Sequence, residues 1–180
     1  PGGGAERRRR GETVRQHLFN DRIWPDFAKI PSAKNPTIRY KVFAPGRSYA
    51  IGPYTVRAVL VSHTVESAGF VVSDGRSAIA YSGDTGPTKN LWKAVSAEKN
   101  LKALLMEVSF PNRQQKLATV SGHHTPQTLV EELKKLPNHQ GLPVLLYHIK
   151  PTFDREVEAE LAAIRGHNLK VLRIGDTFQL

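Results

Sequence analysis

Five side chains able to bind a metal or move a proton stand where apolar runs give way to turns. His63 ends "VRAVLVSH", Asp84 follows "AIAYSG", and His148 comes near the end of "VLLYHIK". His123 and His124 immediately precede "TPQTLVEELKKL". Singly, each has an ordinary explanation. A histidine at a strand end packs or faces water, and an aspartate between glycine and threonine accepts backbone hydrogen bonds in a turn. Gly175-Asp176-Thr177 repeats the tripeptide around Asp84 without a histidine context, and there the turn reading stands. Jointly, the five residues describe a site assembled from several strand ends, which is where layered α/β domains gather function. Neutral imidazole and carboxylate are the normal ligands of a hydrolytic metal centre in a chain without cysteine, and this chain has none. His17, His139 and His167 have no comparable setting.

Elements must carry these residues to one place. "TIRYKVF", "YTVRAVLVSH", "AGFVVSD" and "SAIAYSGD" are short runs rich in Val, Ile, Tyr and Phe, punctuated by Pro-Gly, Gly-Pro and Asp-Gly, and predict strands. Asp74-Gly75 marks a hairpin. After Asp84 the texture alternates. "TKNLWKAVSAEK" predicts a helix and "LKALLMEVSF" a buried strand. "TPQTLVEELKKL" predicts a helix with Thr125 as N-cap and Pro126 at its first position. "LPVLLYHI" predicts a strand, and "PTFDREVEAELAAIRG" a helix stopped by Gly166. "LKVLRI" and "TFQL" predict closing strands, and "ETVRQHLFNDRIWPDF" a short amphipathic helix broken before Pro25. The expected architecture is a mixed α/β layered domain, with helices on both faces of a sheet and strand ends free for chemistry.

The 180 residues, 39% hydrophobic and 23% charged, suit one soluble domain with a real core. No apolar run approaches the ~18 residues of a membrane span. Part of the net charge of +10 is local, because "PGGGAERRRR" reads as a disordered basic leader over 1–10 ahead of a domain over 11–180. The remaining positive charge is scattered, without a basic stripe interleaved with aromatics. Nucleic-acid binding is therefore not the expectation, and a field around an anionic small substrate is. The compartment stays open, with the cytoplasm the first expectation and the periplasm an alternative.

"RQHLFNDRIWPDF", "VSHTVESAGF", "YSGDTGPTKNLW", "MEVSFPN", "SGHHTPQTLVEELKKL" and "YHIKP", in this order and at these spacings, resemble the class II cyclic-nucleotide phosphodiesterases of the metallo-β-lactamase fold. "SGDT" alone would point only to the superfamily, which also holds the tRNase Z enzymes. The resemblance covers 11–180 and implies an αββα sandwich. It further implies a two-metal hydrolase that opens 3′,5′-cyclic AMP, or cyclic GMP, to the 5′-nucleotide by a hydroxide shared between two ions. Zn²⁺ is the expected metal, with Mn²⁺, Fe²⁺ or Mg²⁺ as alternatives. His63 and His148 match metal ligands, Asp84 the bridging carboxylate, and His123 the proton donor or phosphate-orienting histidine. His124 is then a bystander, Glu107 a supporting acid behind the ligands, and Lys150 a phosphate contact. Free N–H groups of the helix after Thr125 are expected to face the same anion. A homodimer is compatible with the resemblance.

The superfamily's His-x-His-x-Asp-His motif does not occur in these 180 residues. The expectation is therefore an N-terminally truncated sandwich with under-filled metal sites and little turnover. The rival expectations are a tRNase Z-like phosphodiesterase, or a non-catalytic basic fragment that binds nucleic acid.

Overall fold

Strand pairing, which joins residues far apart in the chain, decides which of these runs become sheet. A computed structural model describes residues 12–137 and 141–179. The expected leader at 1–10 and His139 lie outside the described residues. The chain divides into two compact units, Pro1–Ala44 and Pro45–Leu180.

In the first unit, residues 12–17 are helical (α1), and the helix stops well short of Pro25. The stop comes from side chains that bond to nearby backbone. Asn20 Oδ1 accepts from the N–H groups of Arg22 and Ile23, both at 3.0 Å. Asp21 Oδ1 accepts from Asp26 N–H at 2.8 Å. Asp26 is itself buried, with Lys29 Nζ at 3.0 Å and Arg15 Nε at 3.5 Å. Phe19 and Phe27 meet edge to face at 5.6 Å. Such local bonds compete with helix, as Asn and Asp do at turns. A two-residue ladder follows, β1 (Pro31–Ser32) against β2 (Asn35–Pro36).

The second unit is built on one sheet of seven strands in chain order: β3 (Ser48–Ile51), β4 (Tyr54–Val61), β5 (Ser67–Ser73), β6 (Ala78–Tyr81), β7 (Leu101–Glu107), β8 (Pro143–Tyr147) and β9 (Asn168–Val171). β3 to β6 pair antiparallel, whereas β6 to β9 pair parallel. The β5–β6 hairpin turns where Asp74-Gly75 predicts it, with Asp74 Oδ1 accepting from Arg76 and Ser77 N–H at 2.8 and 2.7 Å. Two expected strands are absent: neither "TIRYKVF" nor residues 177–179 of "TFQL" is strand. Neither run joins a ladder, and it is β3 that pairs with β4.

Helices α2 (Asn90–Ser96), α3 (Gln115–Ser121), α4 (Pro126–Leu133) and α5 (Asp154–Ala163) lie in the connections. Alternate residues of the strands, Leu104, Met106, Val144 and Leu146, join Leu91, Trp92, Val95, Leu129, Leu133, Val157 and Leu161 in one buried cluster. Because strand side chains alternate between faces, α2, α4 and α5 reach this core from a single face. Each fully buried leucine or valine there contributes roughly 1.5–3 kcal/mol. Apolar residues four apart, Leu129 with Leu133 and Val157 with Leu161, turn one side of each helix inward.

Topology then sets the site. β4 runs antiparallel to β5, and β5 antiparallel to β6, so β4 and β6 point the same way. β7 and β8 are parallel to β6. The C-terminal ends of β4, β6, β7 and β8 therefore share one edge of the sheet. That edge carries His63, Asp84, Glu107 and His148.

Candidate metal centre

His63 follows β4, and its Nδ1 lies 3.0 Å from the Gly122 carbonyl. A carbonyl only accepts, so Nδ1 holds the proton and Nε2 keeps its lone pair. Gly122 closes α3 in the left-handed conformation at φ 71. A Cβ there would stand 2.9 Å from both the Cα and the Nδ1 of His63. Glycine is thus required both by the backbone turn and by the approach of the histidine.

Asp84 projects from the turn after β6, half-exposed, with Oδ2 3.6 Å from His148 Nε2. Its loop is tied on three sides. Tyr147 donates its hydroxyl to the Gly83 carbonyl at 3.0 Å, Ser62 N–H donates to Thr85 Oγ1 at 3.1 Å, and Thr85 N–H donates to Glu107 Oε1 at 3.3 Å. Burial pushes the Tyr147 phenol up, so it stays a donor. Gly83 has φ 63, and a Cβ there would stand 2.5 Å from the Ala68 carbonyl, so the turn nests against β5 backbone.

Glu107 is fully buried at the end of β7. Oε1 accepts from His123 Nδ1 at 2.9 Å and His124 N–H at 3.3 Å, and Oε2 accepts from Ser109 Oγ at 3.0 Å. His123, 7% exposed, is therefore protonated at Nδ1 by its partner's demand, leaving Nε2 for the site. Its ring stands 4.9 Å from that of His63 and 5.2 Å from that of His148. His148 follows β8 at φ 69, a left-handed backbone rare outside glycine and characteristic of functional sites. Burial lowers the His148 pKa, opposed by the charge of Asp84, which keeps the imidazole neutral and able to bind metal. Lys150 lies two residues on, half-buried, its ammonium 6.0 Å from the Phe110 ring.

His63, Asp84, His123, His148 and Glu107 are thus brought to one rim. Among the described residues, Glu107, His123 and His148 offer metal-competent atoms that all lie within 4.8 Å of one another, whereas the motifs suggest His63, Asp84 and His148. Both Glu107 oxygens accept from buried donors, Oε1 from His123, His124 and Thr85 and Oε2 from Ser109. Imidazole nitrogens with free lone pairs beside a half-exposed carboxylate fit a divalent ion of the zinc or manganese type. His124 points away: its Nδ1 meets Thr128 Oγ1 at 3.2 Å.

One expectation fails. The first-turn N–H groups of α4 are already used: Gln127 N–H donates to Asn112 Oδ1 at 2.8 Å and Thr128 N–H to Thr125 Oγ1 at 3.3 Å, while Pro126 has none. Thr125 and Thr128 cap the helix reciprocally, and the cap consumes the donors a phosphate would need. Ser109, Thr85 and Tyr147, which hold the rim together, carry no sequence signal beyond their place beside Glu107, Asp84 and His148.

Residues 12–149 match the family model described as a β-lactamase superfamily domain. Over 168 residues, 80% of the chain, it is 34% identical to a Yersinia pestis protein named probable 3′,5′-cyclic-nucleotide phosphodiesterase. The chain spans about half of that relative, 48% of its length. Among solved structures, the metallo-β-lactamase fold protein YhfI from Bacillus subtilis aligns over 78% of the chain and 58% of its own, with TM-score 0.62 and 19% identity. Zn²⁺-bound PqqB from Methylobacterium extorquens aligns over 78% of the chain and 55% of its own, with TM-score 0.57 and 16% identity. The fold is that of the metallo-β-lactamase proteins, and the chain belongs to the β-lactamase superfamily domain family.

Proposed function

We propose that this chain is the metal- and phosphate-handling part of a phosphodiesterase that opens 3′,5′-cyclic nucleotides to 5′-nucleotides. The observation that carries the proposal is the rim itself: three imidazoles and Asp84 at one sheet edge, with His63 and His123 each held through Nδ1 by a fixed acceptor. The substrate class draws its support from the 34% identical Yersinia pestis relative.

His63, Asp84 and His148 would hold divalent ions, which supply Lewis acidity towards a phosphoryl oxygen and activate water. Asp84 would contribute the negative charge that imidazole lacks. His123 offers Nε2 to the departing 3′-oxygen. When charged, its imidazolium is stabilised by Glu107, 2.9 Å away on the opposite nitrogen, so it can donate a proton without leaving its place. Beside His63 opens a recess of about 520 Å³ lined by Thr64, Val65, Pro87 and Val120, large enough for a nucleoside. Lys150 brings positive charge to the side of His148.

The test is a substrate panel on the protein supplied with Zn²⁺ or Mn²⁺, with cyclic AMP, cyclic GMP and precursor tRNA offered in parallel. Release of 5′-AMP or 5′-GMP, abolished by Asp84→Asn together with bound metal, is the expected result. Cleavage of precursor tRNA with both cyclic nucleotides untouched would overturn the substrate class. Full metal retention by Asp84→Asn would remove Asp84 from the ligands.

A further inference from the structure

Ser109 is an unremarkable serine two residues past Glu107, yet it is fully buried and touches both halves of the rim. Its Oγ lies 3.0 Å from Glu107 Oε2, 2.8 Å from His148 Nδ1 and 3.3 Å from the His148 carbonyl. Its backbone is tied to the two motif segments as well: Ser109 N–H donates to the His124 carbonyl at 3.0 Å, and Lys150 N–H donates to the Ser109 carbonyl at 3.2 Å.

A hydroxyl has one proton to give and three claimants. If it went to His148 Nδ1, Glu107 Oε2 would lose its one donor among the described residues. A buried carboxylate oxygen would then stand bare, which is the most costly of the arrangements. His148 would also carry its own proton on Nε2, facing Asp84 Oδ2 at 3.6 Å, too far for a hydrogen bond. If the proton goes to Glu107, a charge-assisted bond is made, and His148 Nδ1–H donates to the serine lone pair at 2.8 Å. Glu107 Oε2 and His148 Nδ1 are then both satisfied, and His148 Nε2 is left as a lone pair at the rim.

We infer that Ser109 is a positioning residue that relays the charge of Glu107 to His148 and fixes its tautomer. One buried carboxylate thereby sets two imidazoles, His123 directly through Oε1 and His148 through Ser109 and Oε2. The inference rests on the reading of His148 as a metal ligand, but its test does not depend on the substrate. Ser109 is the link that makes the two sides of the rim respond to a single acid.

The experiment is long-range ¹H–¹⁵N NMR of the histidine rings in the metal-free wild-type protein and in Ser109→Ala and Ser109→Thr, with Zn²⁺ affinity measured in parallel. Expected in the wild type is His148 protonated at Nδ1. Ser109→Ala is expected to mix the His148 tautomers and weaken Zn²⁺ by roughly 10–100-fold. His63, held by a backbone carbonyl, should keep its tautomer in the same sample, and Ser109→Thr should restore the wild-type pattern. A wild-type His148 protonated at Nε2 overturns the inference whether or not the variants fold. So does an Ala variant with His148 still fixed at Nδ1 and affinity unchanged. A fixed tautomer in a protein that ignores cyclic nucleotides would defeat the substrate proposal and leave the relay standing.

Discussion

His124 stands one residue from the proposed proton donor, and its ring turns instead to Thr128 of α4. It is fully buried, and its Nε2 has no hydrogen-bond partner among the described residues. The bond to Thr128 satisfies Nδ1 only. Burial pushes the His124 pKa below its ordinary 6.5, because the charged ring has nowhere to be solvated. The unfolded chain takes up a proton near 6.5 while the folded chain does not. Stability is therefore full above that pH and falls as pH drops below it. His124→Leu removes both effects. Thermal or urea unfolding should show a gain of about 1–3 kcal/mol and a flatter dependence on pH below 6.5; a loss of stability would mean the nitrogen has a partner. The strand-end positions of His63, Asp84 and His148 were legible because each interrupts or follows an apolar run, and those of His123 and His124 because a helix cap follows them. Ser109, Thr85 and Tyr147 were not, since a hydroxyl beside a strand end looks the same whether it bonds a ligand or water.

At the scale of elements, α4 was the most legible. Thr125, Pro126 and the spacing of Leu129 and Leu133 announce a capped amphipathic helix, and the structure builds one. Thr125 Oγ1 also donates to Gln115 Oε1 at 2.7 Å, so the cap joins α3 to α4 across the segment that carries His123. Thr125→Ala should cost about 1 kcal/mol in urea unfolding. The ring signals of His123 should shift as well; a stability loss with unmoved signals would confine the cap to the helix. The same cap defeats the idea of an anion cradle at this helix, because sequence shows where N–H groups are orphaned but not which side chains of Asn112 or Thr125 reach them. "TIRYKVF" misled for a related reason. Strand propensity is local, whereas a strand exists by its partner.

For the molecule as a whole, the site is the seam where the sheet changes from antiparallel to parallel pairing and four strand ends emerge together. Anything that binds these ends binds only the folded chain. Zn²⁺ at about 100 times its dissociation constant should therefore stabilise the fold by ~2.7 kcal/mol and raise the melting temperature by roughly 5–10 °C. EDTA should reverse the shift, and a melting temperature indifferent to both would argue against a metal at the rim. The net charge of +10 favours an anionic substrate without naming one. Gly122 has a consequence of a different kind. It ligates nothing, yet a methyl group at that position would collide with His63 and unseat the carbonyl that orients it. In a saturation map of inactivating alleles, position 122 should score alongside the histidine it holds, as intolerant of alanine as His63 itself.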